Sequence, residues 1–279
     1  MSRKPLSSRL LNVWAVLVFV FLFLPIVVIV IYSFNQGRLL VSFSEPGFGA
    51  YHDAFANERI TSSVIVSLQS AVWSALLATL LGTLAGLALA RRAGKWAPWL
   101  VLALALVTVT PEIVDAVALL PWLVTLGQDF HIGPFNNGVV RLIIGNSLFA
   151  TAVVTFIVRA RFAGLDERLE EAAADLFASP AVVFRRVTLP LAMPAVLSGG
   201  LLAFTLSLDN TVVASFVQVS GSTPWPVYIL STLKTGMRPE IAAMSTVMIV
   251  LTLAALAIVA LVLRRSGEST TDIVKTMAG

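Results

Sequence analysis

The chain has no cysteine, only two histidines, and only 12% charged residues. Without cysteine there are no disulfides, thiolate metal sites or cysteine nucleophiles. His52 and His131 are far apart and fall in segments that read as loops, so they offer no histidine-based metal cluster. A nucleotide-cradling G-x-x-x-x-G-K-[ST] loop is missing too. Gly94-Lys95 lacks the upstream glycine and the following hydroxyl residue, so the chain cannot bind ATP through that motif. No lysine or histidine lies inside an apolar run, which removes the groups an intramembrane hydrolase would need.

What fills the composition instead is apolar: 58% of residues are hydrophobic and the mean hydropathy is +0.91. A soluble domain carries roughly 25% charged residues and rarely exposes large apolar patches. Lipid is the environment that removes the conflict. A bilayer core about 30 Å thick needs about 20 mostly apolar residues in a helix. Val13–Phe34, Thr61–Ala90, Leu142–Val158, Leu191–Val217 and Ile241–Leu263 meet that requirement. Ala97–Leu126 is apolar but interrupted by Pro111, Glu112, Asp115 and Pro121, and reads as one span followed by a broken or re-entrant segment. Six spans result. The first is too long for a signal core and no small-x-small cleavage pattern follows it, so it reads as an uncleaved anchor.

Lysine and arginine set the direction. With six spans, 14 of the 19 basic residues share the side of the termini, including Arg3, Lys4, Arg91, Arg92, Arg185 and Lys275. The other five are Arg38, Arg59, Arg141, Lys234 and Arg238. Basic residues accumulate in the cytoplasm, so both termini are expected there. The net charge of +4 is thus a topological signal and not a nucleic-acid footprint. Residues 1–279 read as a single membrane domain with no appended soluble module.

Between the fourth and fifth spans lies an unusually long polar segment, 159–190. Leu165–Phe177 is made of helix formers, with Leu165, Leu169, Ala172, Ala173 and Leu176 on one face. Ser179-Pro180 supplies an N-cap and a first-turn proline for a second short helix, which Pro190 is expected to close. The segment reads as a helix-turn-helix on the cytoplasmic face.

Glu171-Ala172-Ala173, Ala178, Pro180 and Val187-Thr188-Leu189-Pro190 resemble the EAA loop of ATP-binding-cassette (ABC) importer permeases. The resemblance implies an all-helical permease whose loop couples to a separate ATP-binding subunit through Glu171, Ala172, Ala173, Phe177, Ala178, Pro180, Leu189 and Pro190. It also implies a dimer of ATP-binding subunits using ATP and Mg²⁺, a second homologous permease forming a heterodimer, and an extracellular substrate-binding protein. No cofactor is expected on this chain, no nucleic acid is an expected partner, and the location is the bacterial inner membrane, in contact with lipid. One departure stands out: the family usually has glycine where this chain has Phe177. Glycine takes positive φ freely, whereas phenylalanine in that geometry costs roughly 1–2 kcal/mol. Either the turn is reshaped or Phe177 makes a compensating contact with the ATP-binding subunit.

Acidic residues inside apolar stretches are the second signal, because a mid-bilayer charge costs roughly 2.5–3.5 kcal/mol and faces a cavity or a partner. Ser207, Thr211 and Ser215 recur every four residues and would form a polar stripe in one helix, flanked by Asp209 and Asn210. Such a stripe is a pathway wall or helix–helix glue, and the carboxylate favours the pathway. Glu112 and Asp115 share a helical face, either lining a cavity or solvated at the outer end of span three. Tyr32-Ser33-Phe34-Asn35, Pro111-Glu112 and the segment from Phe204 to Asp209 resemble the spermidine/putrescine permease branch. That branch commonly has a second aspartate where this chain has Asn210, and related permeases import opines or amino-acid derivatives. A polyamine cation crossing low dielectric wants carboxylates along its route, which Glu112, Asp115 and Asp209 would supply.

Two glycine patterns are open to more than one reading. Gly82 and Gly86 allow close helix approach, within the chain or between subunits. Gly199-Gly200 is a flexible point or a packing notch. The segment 35–60 lies on the membrane surface or receives a binding protein. An ion-coupled secondary transporter would also use intramembrane acids, but leaves the loop at 159–190 without a purpose.

Overall fold

The computed structural model describes residues 6–37, 40, 42–91, 93–234 and 236–265, with side chains between residues 11 and 262. Arg3, Lys4, Arg38, Arg92, Lys275 and the tail beyond Arg265 lie outside the described residues. The fold is helical, and the isolated antiparallel bridge among the described residues joins Asn35 to Pro46.

In chain order, α1 spans Leu6–Tyr32, α2 Gly49–Ala56, α3 Glu58–Arg91, α4 Ala97–Val109, α5 Glu112–Val124 and α6 Gly138–Ala163. Then come α7 Arg168–Asp175, α8 Pro180–Val183, α9 Leu189–Asp209, α10 Val212–Val217, α11 Trp225–Thr232 and α12 Pro239–Arg265. Among the described residues, five continuous helical segments are long and apolar enough to cross a membrane, and α4 with α5 makes a sixth if the bent pair is one span. The bend between those two is 109°, at Thr110-Pro111. Pro111 lacks a backbone N–H and biases Thr110 to an extended conformation (φ −63°, ψ 131°), so the helix stops where the sequence predicts.

The chain divides into two compact units, one from residues up to Thr61 with Ile229–Leu251, the other from Ser62–Tyr228 with the segment from Thr252. In the first, α1 exposes apolar side chains along nearly its whole length, a surface for lipid or another subunit. Fully buried Asn35 organises the segment after it. Its amide donates to Ser42 O at 2.9 Å, and its Oδ1 accepts from Gly37 N, Ser44 N and Ser44 Oγ. Tyr51 on α2 meets Ser33 Oγ at 2.8 Å and packs on Phe34 and Phe48. His52 therefore sits on a short helix and not in a loop; Phe48-Gly49-Ala50-Tyr51 winds because its aromatic face has Phe34 to pack on.

The second unit is organised around α6. One end of it joins Leu142 to a cluster of Val66, Ala116, Leu123, Val213, Ala214 and Val217. Its other end brings Val154, Val158 and Phe162 together with Ala75, Ala78, Ala192 and Ala203. Small residues let α3 approach closely: a Cβ on Gly82 would lie 2.7 Å from Val154 Cβ, and one on Gly86 3.0 Å from Arg159 N and Thr155 O. The Gly82/Gly86 pair is therefore an internal contact. A Cβ on Gly200 would lie 2.8 Å from Thr79 Oγ1, which makes this position a packing notch.

Candidate functional site

The segment between α6 and α9 folds as a helix, a turn and a second helix, with three departures from the sequence expectation. First, α7 begins at Arg168 and not at Leu165, because Asp166 Oδ1 accepts from Arg168 N at 3.0 Å and starts the helix there. Leu165 packs instead beside the Phe162 cluster, and Leu176 lies past the helix end. Second, Ser179 occupies the N-cap position in extended backbone, but its hydroxyl makes no cap hydrogen bond. Third, Pro190 closes nothing. α8 runs through a π-turn at Phe184–Thr188 directly into α9. Pro190 can donate no hydrogen bond to Arg186 O, four residues back, and the wider turn accommodates that missing bond without ending the helix.

An arginine that the sequence reading did not single out holds this segment. Arg91, in the last turn of α3, reaches Glu167 Oε1 through Nη1 at 2.6 Å and Glu170 Oε1 through Nη2 at 3.2 Å. Thr188 Oγ1 donates to the same Glu170 oxygen at 3.0 Å. One carboxylate thus ties α7 both to α3 and to the π-turn below α9. The Arg91 side chain is 13% exposed and that of Glu170 26%, whereas that of Glu167 is 65% exposed, so the Glu170 contact is the less screened of the two. Glu171 points outward, with Ala172, and among the described residues its carboxylate has no ion pair. Ala173 and Ala178 are half-buried, Leu189 likewise, and Pro180 and Pro190 are exposed.

The turn after α7 keeps left-handed geometry despite its side chain. Phe177 has φ +59°. Phe177 N donates to Ala174 O at 2.9 Å and Ala178 N to Ala173 O at 3.1 Å, the paired bonds of a Schellman motif. Phe177 is 99% exposed and Leu176 82% exposed. The turn is therefore not reshaped.

The polar segment at the far end of α9 differs more from expectation. α9 ends at Asp209, and α10 begins at Val212. Asn210 is extended (φ −67°, ψ 97°), and its Oδ1 accepts from Val213 N at 2.9 Å. That is an Asn side chain capping a new helix in place of continuing the old one. Ser207, Thr211 and Ser215 consequently do not form a stripe on one helix. Ser207 is buried on α9, Thr211 half-buried in the break, and Ser215 on α10 donates back to Thr211 O at 2.6 Å. The run Asp209-Asn210-Thr211 ahead of apolar residues was a legible N-cap signal.

Asp209 is exposed at the C-terminal end of α9, and among the described residues it has no ion pair. Behind it, Asn146 Nδ2 on α6 donates to Ser207 O at 3.3 Å. Asn146 Oδ1 and Ser207 Oγ are buried without a partner among the described residues. Buried oxygens left unmatched are uncommon in a purely structural core. Asn146 was missed because an isolated amide in an apolar run carries no spacing signal.

Glu112 and Asp115 both fall in the first turn of α5, where the helix N-terminus favours negative charge. Glu112 is exposed and Asp115 half-buried. α5 packs on α10 through Ala116, Leu123, Val213 and Val217. The two breaks, at Thr110-Pro111 and at Asn210-Thr211, therefore precede two helices that touch. Broken helices at membrane depth are tolerated where they line a cavity or are covered by protein.

Comparison with known proteins decides the family. Residues 79–268 match the binding-protein-dependent transport system inner membrane component family. The chain belongs to this family. Its members are transport components and not enzymes, and the chain is a multi-pass membrane protein. The spermidine/putrescine transport system permease protein PotC of Haemophilus influenzae is 36% identical over 236 residues, covering 85% of this chain and 89% of that one. The putrescine transport system permease protein PotI of Escherichia coli is 36% identical over 224 residues, 78% of each chain. Among solved structures, a bacterial alginate ABC transporter in complex with a pentasaccharide-bound periplasmic protein has a chain that superposes with a TM-score of 0.67. Identity there is 17%, with 92% of each chain covered, which speaks for the fold alone. Another structure, a bacterial ABC transporter involved in the import of alginate, gives 0.63 at 19% identity, covering 95% of this chain and 99% of that one. The family match includes the whole segment from α7 to α9, so the exposed turn and the Arg91 anchor sit inside the matched region.

Proposed function

We propose that this chain is one membrane half of an ATP-driven importer whose cargo is putrescine or spermidine. The observation that carries the reading is the anchored, exposed helix-turn-helix at 168–188 in a chain that belongs to a binding-protein-dependent transport family. A surface of this kind on a chain with no nucleotide loop suits a separate motor. Glu171, Ala172, Ala173, Phe177, Ala178, Pro180, Leu189 and Pro190 form the coupling segment, and both termini lie in the cytoplasm with it. The chain holds no cofactor; ATP and Mg²⁺ belong to the two ATP-binding subunits. A second, distinct permease completes the pathway, and a periplasmic binding protein delivers the cargo.

The substrate class rests on the two relatives at 36% identity, whose names specify spermidine and putrescine. The chemistry agrees. A polyamine cation needs negative charge along a low-dielectric route, and Asp209 stands where the carbonyl end of α9 adds its own partial negative charge. Glu112 and Asp115 provide further carboxylates, and half-buried Asn210 and Thr211 at the break complete the polar wall, with buried Ser207 behind them. Asn210 in place of an aspartate retains the break, since the two residues cap helices about equally well. In this mechanism, ATP-driven closure of the motor moves the coupling segment, and Arg91 passes that motion to α3. The spans then open outward to receive cargo.

Reconstitution tests the whole reading. The complete complex in proteoliposomes should hydrolyse ATP faster when its binding protein carries putrescine, and should accumulate labelled putrescine. An assembled, active complex that ignores both polyamines would overturn the substrate assignment and keep the importer.

A further inference from the structure

The coupling segment carries an apolar projection that folding alone does not require. Leu176 and Phe177 are adjacent, 82% and 99% exposed, and sit at the tip between α7 and α8. Phe177 holds φ +59°, a region that a residue with a Cβ enters only at a penalty, and among the described residues its 99% exposed side chain has no packing that would offset it. Glycine there would make the same two Schellman hydrogen bonds without strain. An aromatic ring that strains the backbone and stands free of contact among the described residues has its use elsewhere.

We infer that Leu176 and Phe177 form a knob that enters an apolar socket on the ATP-binding subunit, so that Phe177 helps to decide which motor this permease accepts. This deepens the coupling reading above and depends on it. Three observations select the occupant. The knob stands at the exposed tip of the segment proposed above to meet the motor, inside the region matched to the transport family. Its neighbours Glu171 and Asp175 are exposed carboxylates on the same short helix, so the socket has a basic rim. The base of the knob is held in place by the Arg91–Glu170–Thr188 contacts, so it is presented rigidly, as a hot-spot anchor needs to be. Aromatic anchors that fill a pocket at an interface typically dominate its affinity.

The test is titration of the ATP-binding subunit onto the permease pair in nanodiscs. Phe177→Gly is the informative variant because it preserves the turn. Loss of one buried phenylalanine should weaken association about 10- to 100-fold, while hydrogen exchange at 165–188 stays as in the wild type. Phe177→Leu should recover part of the affinity. A photo-reactive phenylalanine analogue at 177 should cross-link to the ATP-binding subunit. Cross-linking to lipid or to the second permease overturns the knob. If Phe177→Gly binds within twofold of wild type while Glu171→Lys binds weakly, the knob is wrong and the coupling role survives. If neither variant weakens binding, the coupling reading itself falls.

Discussion

Replacing Arg91 with alanine should release the coupling segment without unfolding the spans. The magnitude follows from the two contacts. The Glu167 partner is largely solvated, and exposed ion pairs contribute about 0–1 kcal/mol. The Glu170 contact is charge-assisted and mostly shielded, a class worth about 1.5–3 kcal/mol before screening. Together they give about 2 kcal/mol in favour of the docked segment, or roughly 30-fold in its docking equilibrium. Arg91→Ala should therefore raise amide exchange in 165–188 by about that factor and lower uptake, with thermal stability of the complex changed little. Glu170→Gln keeps an acceptor for Thr188 and removes only the charge. A double-mutant cycle between the two should show a coupling energy of about 1 kcal/mol or more. Strict additivity, or unchanged exchange, would refute the anchor.

Other outcomes follow from the same geometry. Asp209→Asn should reduce polyamine uptake at least about tenfold while the complex assembles normally, measured as labelled uptake beside co-purification; wild-type uptake would return Asp209 to a structural role. Glu171→Lys should leave insertion intact and reduce co-purification of the ATP-binding subunit. Gly82→Leu should destabilise the complex in a thermal-shift assay by about 1–3 kcal/mol, because the added side chain meets Val154 Cβ at once. Asn210→Ala removes the cap of α10 and should cost about 1 kcal/mol and impair transport, with Asn210→Asp retaining the cap.

Most of the helical framework was legible because lipid reduces span recognition to length and apolarity. The break at Pro111 was legible for a similar reason, since proline acts through covalent geometry. The break at Asn210 was harder: apolar residues continue on both sides, and the decision is made by a side chain three residues from the amide it caps. The π-turn before Pro190 was missed because a helix can absorb proline by widening as well as by ending. Phe177 was found as an anomaly, but whether the turn reshaped or the residue strained was a question of tertiary balance. Arg91 was beyond sequence reasoning: its partners lie 76 and 79 residues away, and only the packing of α3 on α6 brings them together. Local rules reveal elements and breaks; the pairing of charges across elements belongs to the fold.

The central claim is tested most directly by accumulation of labelled putrescine in cells that express the complete complex, with and without this chain. The account predicts concentrative uptake that requires both this chain and ATP. Equal uptake without the chain, or uptake that persists when ATP is depleted and an ion gradient is kept, would contradict it.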